Sequence, residues 1–214
     1  MSYLKTIPQS MAEAGLCKTF AVRHEVIHIK HIFTEIFVRK SLHIEKTLDM
    51  LGLSLFDYVS IMTNRLRRIH KFPREYVNNI DSVIKQDRHG FFPTIELYKG
   101  MKSLIALDFD GTVTASKFKL LYDLCLNRAH TGIITANPTV TSDWFAKHGY
   151  GYPNNIYACK GKQAKLKKLI DISQRFDYTF YVDNEKKYLE IAWLFGIKTF
   201  HWDGTKIKYF SRSK

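Results

Sequence analysis

Residues Leu104–Thr114 read Leu-Ile-Ala-Leu-Asp-Phe-Asp-Gly-Thr-Val-Thr, and this stretch decides the fold of the second half of the chain. Its apolar start is typical of a buried strand, and two aspartates, Asp108 and Asp110, follow it directly. In a parallel α/β sheet, ligands bind at the carboxyl ends of the strands, so both carboxylates are expected in one crevice. Carboxylates that close repel each other unless they share a cation, and Mg²⁺ suits such oxygen ligands.

After residue 100, strand-like apolar segments alternate with helix-like segments. The patterns predict strands over 103–107, 131–135, 155–158, 178–182 and 197–200, and helices over 117–128, 139–148, 162–174 and 185–195. This alternation predicts an α/β fold, a doubly wound parallel sheet with helices on both faces. Near the end, Asp203-Gly204 lies between alternating residues and predicts a hairpin.

The first hundred residues are predicted to be mostly helical. Helical spacing of apolar residues extends over 12–33, 42–51, 55–70 and 76–86. Ser41 and Ser54 are expected to cap the second and third of these helices, and Gly52 to end the second. The pair Lys99-Gly100 marks a domain junction. We therefore expect a helical N-terminal accessory domain over 1–99 and an α/β catalytic domain over 100–214.

Four segments of the second half match known motifs in order. They are Asp108-Phe-Asp-Gly-Thr112, Gly132-Ile-Ile-Thr-Ala-Asn137, Lys160-Gly-Lys162 and Phe180-Tyr-Val-Asp-Asn-Glu185. Together they resemble motifs I to IV of the haloacid dehalogenase (HAD) superfamily, over residues of about 102–203. The resemblance implies a HAD-like fold and a hydrolase, a Mg²⁺-dependent phosphatase that acts on phosphomonoesters.

The resemblance also assigns roles to residues of this sequence. Asp108 would be the nucleophile that forms an aspartyl-phosphate, and Asp110 the general acid and base. Thr135 would hold phosphate, and Lys162 would balance the charge of nucleophile and phosphate. We favour Lys162 over Lys160 because Leu166 follows it at helical spacing, but the choice stays open at this point. The phosphate-binding set would comprise Phe109, Gly111, Thr112, Thr135 and Ala136.

The resemblance places Mg²⁺ between residues of motifs I and IV. The implied ligands are Asp108, Asp110, Asp183 and Asn184. Many relatives carry a second aspartate where this chain has Asn184. An asparagine can still coordinate through its carbonyl oxygen, but the site loses one negative charge.

Motif spacing and net charge together indicate a class of substrate. Only 24 residues separate Asp110 from Thr135, and 24 separate Thr135 from Lys160, so neither gap can hold a cap domain. By the resemblance, capless members often act on bulky substrates. The formal net charge is +13, and both halves of this basic protein have more Lys and Arg than acids. Because a basic surface attracts phosphate anions, we expect a nucleotide or the end of a nucleic acid as substrate.

The composition indicates the cellular compartment of the protein. Three widely spaced cysteines, Cys17, Cys125 and Cys159, favour a reducing compartment and no disulfide framework. No apolar stretch is long enough for a membrane span, and the N-terminus lacks the apolar segment of a secretory signal. We therefore expect a cytoplasmic protein without a membrane partner. The sequence leaves the oligomeric state and the individual substrate open.

Three hypotheses compete for the N-terminal half. His24-Glu-Val-Ile-His28 fits a zinc-binding pattern, but a polar stripe on a surface helix explains it as well. Residues 36–73 resemble ribbon-helix-helix antitoxins of the RelB/DinJ type, in which paired strands enter the DNA major groove. Under that interpretation Arg39 and Ser41 face the groove, and the chain is a DNA-binding regulator with a HAD-like scaffold or sensor domain.

The favoured hypothesis for this half is an accessory domain that grips the substrate. The segment Asn64–Lys71 gives a helix a basic end. Favourable charges near a helix C-terminus would explain the same pattern without a ligand. With Arg39, the predicted nucleic-acid-binding residues are Arg65, Arg67, Arg68 and Lys71.

Overall fold

The apolar segments that follow residue 102 form a six-stranded sheet, in a computed structural model that describes residues 44–69 and 102–210. The strands are β1 Ser103–Leu107, β2 His130–Thr135, β3 Asn155–Ala158, β4 Tyr178–Asp183, β5 Lys198–Trp202 and β6 Ile207–Tyr209. Their spatial order is β3-β2-β1-β4-β5-β6. All neighbouring pairs are parallel except β5 and β6, which are antiparallel.

Helices connect the strands, and two of the helices that the structure describes precede the sheet. They are α1 (44–51), α2 Leu55–Ile69, α3 Lys119–Arg128, α4 Ser142–Lys147, α5 Lys162–Ser173 and α6 Lys186–Leu194. The chain divides into two compact parts, 1–46 and 47–214, so α2 and the whole sheet belong to the same part. None of the described helices combines the length and apolar character that crossing a membrane requires.

The chain changes direction across the sheet between β1 and β4. From β1 it proceeds outward through β2 and β3, and it then returns to place β4 on the other side of β1. The backbone N–H of Asp108 donates to the carbonyl of Val182, 2.9 Å away, so the ends of β1 and β4 are tied together. A crevice forms where strand order reverses in this way, at the carboxyl ends of the two strands.

Alternation along the strands gives the sheet two different buried faces. On one face, Leu107 and Phe109 join an apolar core that contains Tyr122 of α3 and Phe145 of α4. On the other face, Asp108 points toward Lys165 of α5. The residue after β1 therefore directs its carboxylate to the side of α5, while Phe109 points toward α3 and α4.

Helix α2 packs against the C-terminal end of α6. It starts with a reciprocal cap, in which Ser54 and Asp57 exchange hydrogen bonds between side chain and backbone. The Tyr58 hydroxyl donates to the carbonyl of Leu194 at 3.0 Å, and its ring meets Phe195 edge-on with centroids 5.2 Å apart. These contacts fix α2 to the α/β part of the chain.

The elements predicted after residue 102 are confirmed, with shifts at their ends. Helix α3 follows a short 3₁₀ turn, Ser116–Phe118, and α4 begins at Ser142 instead of 139. The later start has a local cause, because the Asn137 side chain accepts hydrogen bonds from the backbone and hydroxyl of Thr139 in a turn. The predicted hairpin forms between β5 and β6 around Asp203-Gly204.

Among the N-terminal predictions, the cap at Ser54 is confirmed, and so is the end of α1 at Gly52, which has a φ of 58°. The helices predicted over 12–33 and 76–86, the cap at Ser41 and the start of the segment that resembles a ribbon-helix-helix protein lie outside the described residues. The domain junction at 99 and 100 also lies there and stays a prediction. Cys125 is buried and Cys159 half-buried, both as free thiols.

Replacing Tyr58 with Phe tests how strongly α2 is held. The substitution removes the hydrogen bond to Leu194 but keeps the ring contact with Phe195. We expect the free energy of unfolding, measured with urea, to fall by about 1 kcal/mol, the usual net value of such a bond. The matched control is Tyr152→Phe, since this tyrosine is 65% exposed. Equal stabilities of the two variants would contradict the proposed role of the hydroxyl.

Candidate active site

A lysine ammonium group lies between two aspartates at the crevice. Lys165 Nζ is 2.5 Å from Asp108 Oδ1 and 2.9 Å from Asp183 Oδ2. All three residues are buried, with at most 5% of each exposed. Asp108 follows β1, Asp183 ends β4, and Lys165 lies one turn into α5. Three separate elements thus converge on one ion cluster at the point where strand order reverses.

Burial and charge act in opposite directions on this cluster. Burial, opposed by the charge of Lys165 and assisted by that of the nearby Asp183, raises the pKa of Asp108 to about 7. For Lys165, burial lowers the pKa, but the two aspartates outweigh burial and hold the pKa above its ordinary value. The ammonium therefore stays charged, while the protonation of Asp108 changes close to neutral pH.

Asp183 is held from several directions. Its Oδ1 accepts a hydrogen bond from the backbone N–H of Glu185 at 2.7 Å. Its Oδ2 accepts from the Tyr181 hydroxyl as well as from Lys165. Tyr181 can reach it because residues two apart in a strand point to the same face. Burial, together with the Asp183 charge, raises the pKa of Tyr181, so this hydroxyl remains a donor.

The turn after β1 brings the Thr112 hydroxyl to the cluster and places Gly111 against Asn184. The Thr112 hydroxyl lies 3.4 Å from Asp108 Oδ2 and 3.4 Å from Asn184 Oδ1. Gly111 has a φ of 78°, and a Cβ there would lie only 2.6 Å from the Asn184 side-chain nitrogen. The positive φ favours glycine at this position, and a Cβ would also have to displace the end of the Asn184 side chain.

Asp110 lies on the other side of the turn. Its carboxylate is exposed and accepts a hydrogen bond from the Thr135 hydroxyl at 3.3 Å. The Thr135 oxygen in turn accepts from the backbone N–H of Asn137 at 3.0 Å. Two predicted catalytic residues, from the ends of β1 and β2, are thus brought together. The exposed carboxylate can exchange protons with a bound molecule and with water.

The predicted phosphate-binding groups are only partly available. The N–H of Gly111 donates to the Thr114 hydroxyl at 2.9 Å, so it is already engaged. The N–H of Phe109 lies close enough to Asp108 to lower the pKa of that carboxyl. Thr112 and Thr135 place their hydroxyls beside the two aspartates of the turn, as predicted. Ala136 follows Thr135, and its carbonyl accepts from the N–H of Gly161.

The structure corrects the choice of lysine. Lys162 has an exposed side chain, and its Nζ lies 4.0 Å from Glu185, away from both buried aspartates. Lys160 is exposed as well. Helix α5 begins at Lys162, so this residue stands at the solvent end, whereas Lys165 lies one turn further along the buried face. Apolar residues follow both lysines at i+4 and i+7, Leu166 and Leu169 after Lys162 and Leu169 and Ile172 after Lys165, so the sequence held no signal that separates them.

The residues predicted to bind Mg²⁺ carry oxygen donors near the crevice. Asp108, Asp183 and Asn184 Oδ1 are hard oxygen ligands of the kind that Mg²⁺ prefers. The single buried lysine is shared by two aspartates, which leaves a negative excess when both are ionised. Within residues 44–69 and 102–210, no three His, Cys, Asp or Glu side chains form a group that could hold a metal. The Asp110 carboxylate is not part of this donor set, because it is directed at Thr135.

The predicted basic patch on α2 is largely used inside the protein. Arg65 is buried, and its guanidinium donates to the carbonyl of Phe195 at 3.4 Å. Arg68 is half-buried and donates to the Gln174 side chain at 2.9 Å. These two residues therefore brace α2 against the α/β part of the chain, and their binding of nucleic acid stays a prediction. Arg39, Lys71, the Arg67 side chain and the motif His24–His28 lie outside what the structure describes.

Comparison with protein-family models, with curated proteins and with solved structures found no match. The function of the site therefore has to follow from its own geometry.

A pair of substitutions in α5 tests the role of the buried ammonium. Lys165→Met leaves Asp108 and Asp183 without their shared cation, so we expect a loss of about 3–5 kcal/mol in the free energy of unfolding at pH 7. Lys162→Met, three residues earlier at an exposed position, should change it by less than about 0.5 kcal/mol. Urea denaturation of both variants measures the difference. Similar stabilities would mean that the aspartates do not depend on Lys165.

The raised pKa of Asp108 predicts how stability depends on pH. A carboxyl whose pKa is higher in the folded state holds its proton more tightly there, so folding is favoured at low pH. This advantage should be lost as the pH rises from about 4 through about 7. Asp108→Asn has no carboxyl group that titrates at this position. In metal-free buffer, its free energy of unfolding should therefore rise relative to that of the wild type across this pH range. A difference in the free energy of unfolding that stays constant over this pH range would contradict the raised pKa of Asp108.

Proposed function

We propose that this chain is a Mg²⁺-dependent phosphatase with a HAD-like fold, which hydrolyses phosphomonoesters through an aspartyl-phosphate on Asp108. The observation that carries the proposal is the Lys165 ammonium group between Asp108 and Asp183 at the crevice between β1 and β4. Phosphoryl transfer requires a positioned nucleophile and compensation of negative charge. The ion cluster supplies both, at the place where α/β sheets bind ligands.

In the first step, Asp108 attacks the phosphorus atom. Lys165 holds Oδ1, so Oδ2, which lies 3.4 Å from the Thr112 hydroxyl, is the oxygen directed at the substrate. A bond forms between Oδ2 and phosphorus, and the bond from phosphorus to the leaving oxygen breaks. Protonated Asp110 gives its proton to that oxygen, which leaves as an alcohol. Thr135 holds the Asp110 carboxylate in position through its hydroxyl.

In the second step, water releases the phosphate. The Asp110 carboxylate, now ionised, takes a proton from a water molecule as the water oxygen attacks phosphorus. The bond between phosphorus and Asp108 Oδ2 breaks, which restores the carboxylate and frees inorganic phosphate. Asp110 is then protonated, ready for the next cycle. Its exposure allows water to reach it, while buried Asp108 is shielded from competing reactions.

Asp108, Asp183 and Asn184 would hold Mg²⁺ through their oxygens. When bound, Mg²⁺ supplies positive charge that offsets the charge of the nucleophile and of the phosphate oxygens. The donor set has fewer charges than a site with aspartate at position 184. His201 supports Asn184, since its Nε2 lies 3.0 Å from the Asn184 backbone oxygen.

Open access and basic charge support a nucleotide or the end of a nucleic acid as substrate. Between Asp110 and Thr135 the chain forms one short 3₁₀ turn and α3, and between Thr135 and Lys160 it forms α4 and β3. Neither connection adds a domain above the crevice. With a formal net charge of +13, the protein attracts phosphorylated polymers as well as small phosphate esters.

The decisive experiment measures hydrolysis of p-nitrophenyl phosphate with Mg²⁺ and with EDTA. We expect turnover only with Mg²⁺, and a loss of more than about 100-fold in kcat for Asp108→Asn, because an amide cannot form the acyl-phosphate. Asp171→Asn, an exposed acid paired with Arg175 on α5, is the matched control and should keep wild-type kcat.

Two outcomes would overturn the proposal. A variant Asp108→Asn that retains more than about a tenth of kcat would remove Asp108 as nucleophile. A wild-type protein that shows no turnover but binds duplex DNA tightly would favour the regulator hypothesis for the N-terminal half.

A further inference from the structure

A stack of aromatic rings leads from the apolar core below the turn after β1 to the protein surface. Phe109, the residue after Asp108, meets the Trp144 indole edge-on, with centroids 4.6 Å apart at 77°. On the Trp144 indole, the His148 imidazole lies nearly parallel, with centroids 4.2 Å apart and an interplanar angle of 19°. Phe109 is buried, Trp144 half-buried and His148 exposed. The stack thus ends in a planar ring that faces solvent.

The orientation of the His148 ring is fixed. Its Nδ1 lies 2.7 Å from the backbone oxygen of Trp144. A carbonyl oxygen only accepts hydrogen bonds, so Nδ1 must carry the proton and donate. Helix α4 ends at Lys147, so His148 is its C-cap, and Gly149 follows with a φ of 66°. One ring face rests on Trp144, and the other is held in place for a partner at little further cost in conformational entropy.

The stack lies on the side of the crevice where a leaving group would sit. Asp110, the proposed acid, must touch the leaving oxygen, and it is bonded to Thr135. Thr135 shares a face of β2 with Ile133, since the two are separated by one residue. Ile133 belongs to the same core as Phe109 and Phe145, the neighbours of Trp144. The group that departs from phosphorus would therefore lie toward α4.

We propose that the outer face of His148 binds the nucleobase of the substrate by stacking. The inference rests on the proposed phosphatase function and names the substrate class of that site. Every nucleobase has a flat π-face, and stacking on an aromatic side chain is one of the main ways in which proteins hold unpaired bases. A sugar phosphate has the same charged group but no planar ring, so the His148 platform distinguishes nucleotides from such esters.

Binding in the Asp108→Asn background tests the platform, since the ligand then stays intact. Calorimetric titration with adenosine monophosphate and with ribose 5-phosphate, both with Mg²⁺, gives a ratio of affinities that isolates the base. We expect this ratio to be about tenfold or more in favour of the nucleotide. His148→Ala should bring it close to one, and His148→Phe, which keeps a ring, should restore most of it. Lys147→Ala, at the neighbouring exposed position, is the matched control and should keep the full ratio.

A second ligand, an oligonucleotide with a 5′-phosphorylated adenosine, tests whether the base belongs to a free nucleotide or to the end of a nucleic acid. Preference for the oligonucleotide or for the free nucleotide over ribose 5-phosphate supports the platform and identifies which of them it accepts. If the wild type hydrolyses p-nitrophenyl phosphate but adenosine monophosphate and ribose 5-phosphate bind with equal affinity, the platform alone is overturned. A ratio unchanged by His148→Ala overturns it too. Absence of phosphate-ester binding together with absence of turnover overturns the proposed function and the platform together.

Discussion

The structure depends on one electrostatic constraint: the two buried carboxylates at the ends of β1 and β4 can both be ionised only with a cation between them. Lys165 meets that condition at 2.5 and 2.9 Å. The contact fixes the position of α5 against the sheet, because moving the helix would leave buried charges unpaired, which is strongly destabilising. The same contact leaves one oxygen of Asp108 directed at the turn. Stability and chemistry are therefore determined by the same atoms.

Local sequence patterns were sufficient for the sheet and for much of the candidate site. An apolar run that ends in aspartate predicts both the strand and the position of its carboxylate, and this held for Asp108 and for Asp183. The lysine could not be chosen in this way. Lys162 and Lys165 are three residues apart and lie close together on one side of a helix, so periodicity alone does not separate them. Which of the two lysines is buried depends on where along α5 the sheet begins to cover the helix.

The arginines of α2 show a second limit of local patterns. A cluster of basic residues at a helix end resembles a surface for phosphates, yet Arg65 donates to a carbonyl 130 positions later in the chain. The acceptor of this bond is a backbone carbonyl at the C-terminal end of α6, where carbonyls have no partner within the helix. The sequence close to Arg65 therefore gives no indication of the contact. Buried guanidinium groups of this kind are structural, and they pack α2 against the α/β part of the chain.

The close approach of Gly111 and Asn184 links two positions that lie 73 residues apart. A side chain at 111 would collide with the amide of Asn184, 2.6 Å from the position of its Cβ. A larger residue at 111 would therefore have to displace the end of the Asn184 side chain, and a smaller residue at 184 would remove that conflict. Such a second change would relieve the collision but not the strain of a φ of 78°, about 1 kcal/mol or more. Suppressor selection from a Gly111 variant should thus recover only partial fitness through position 184.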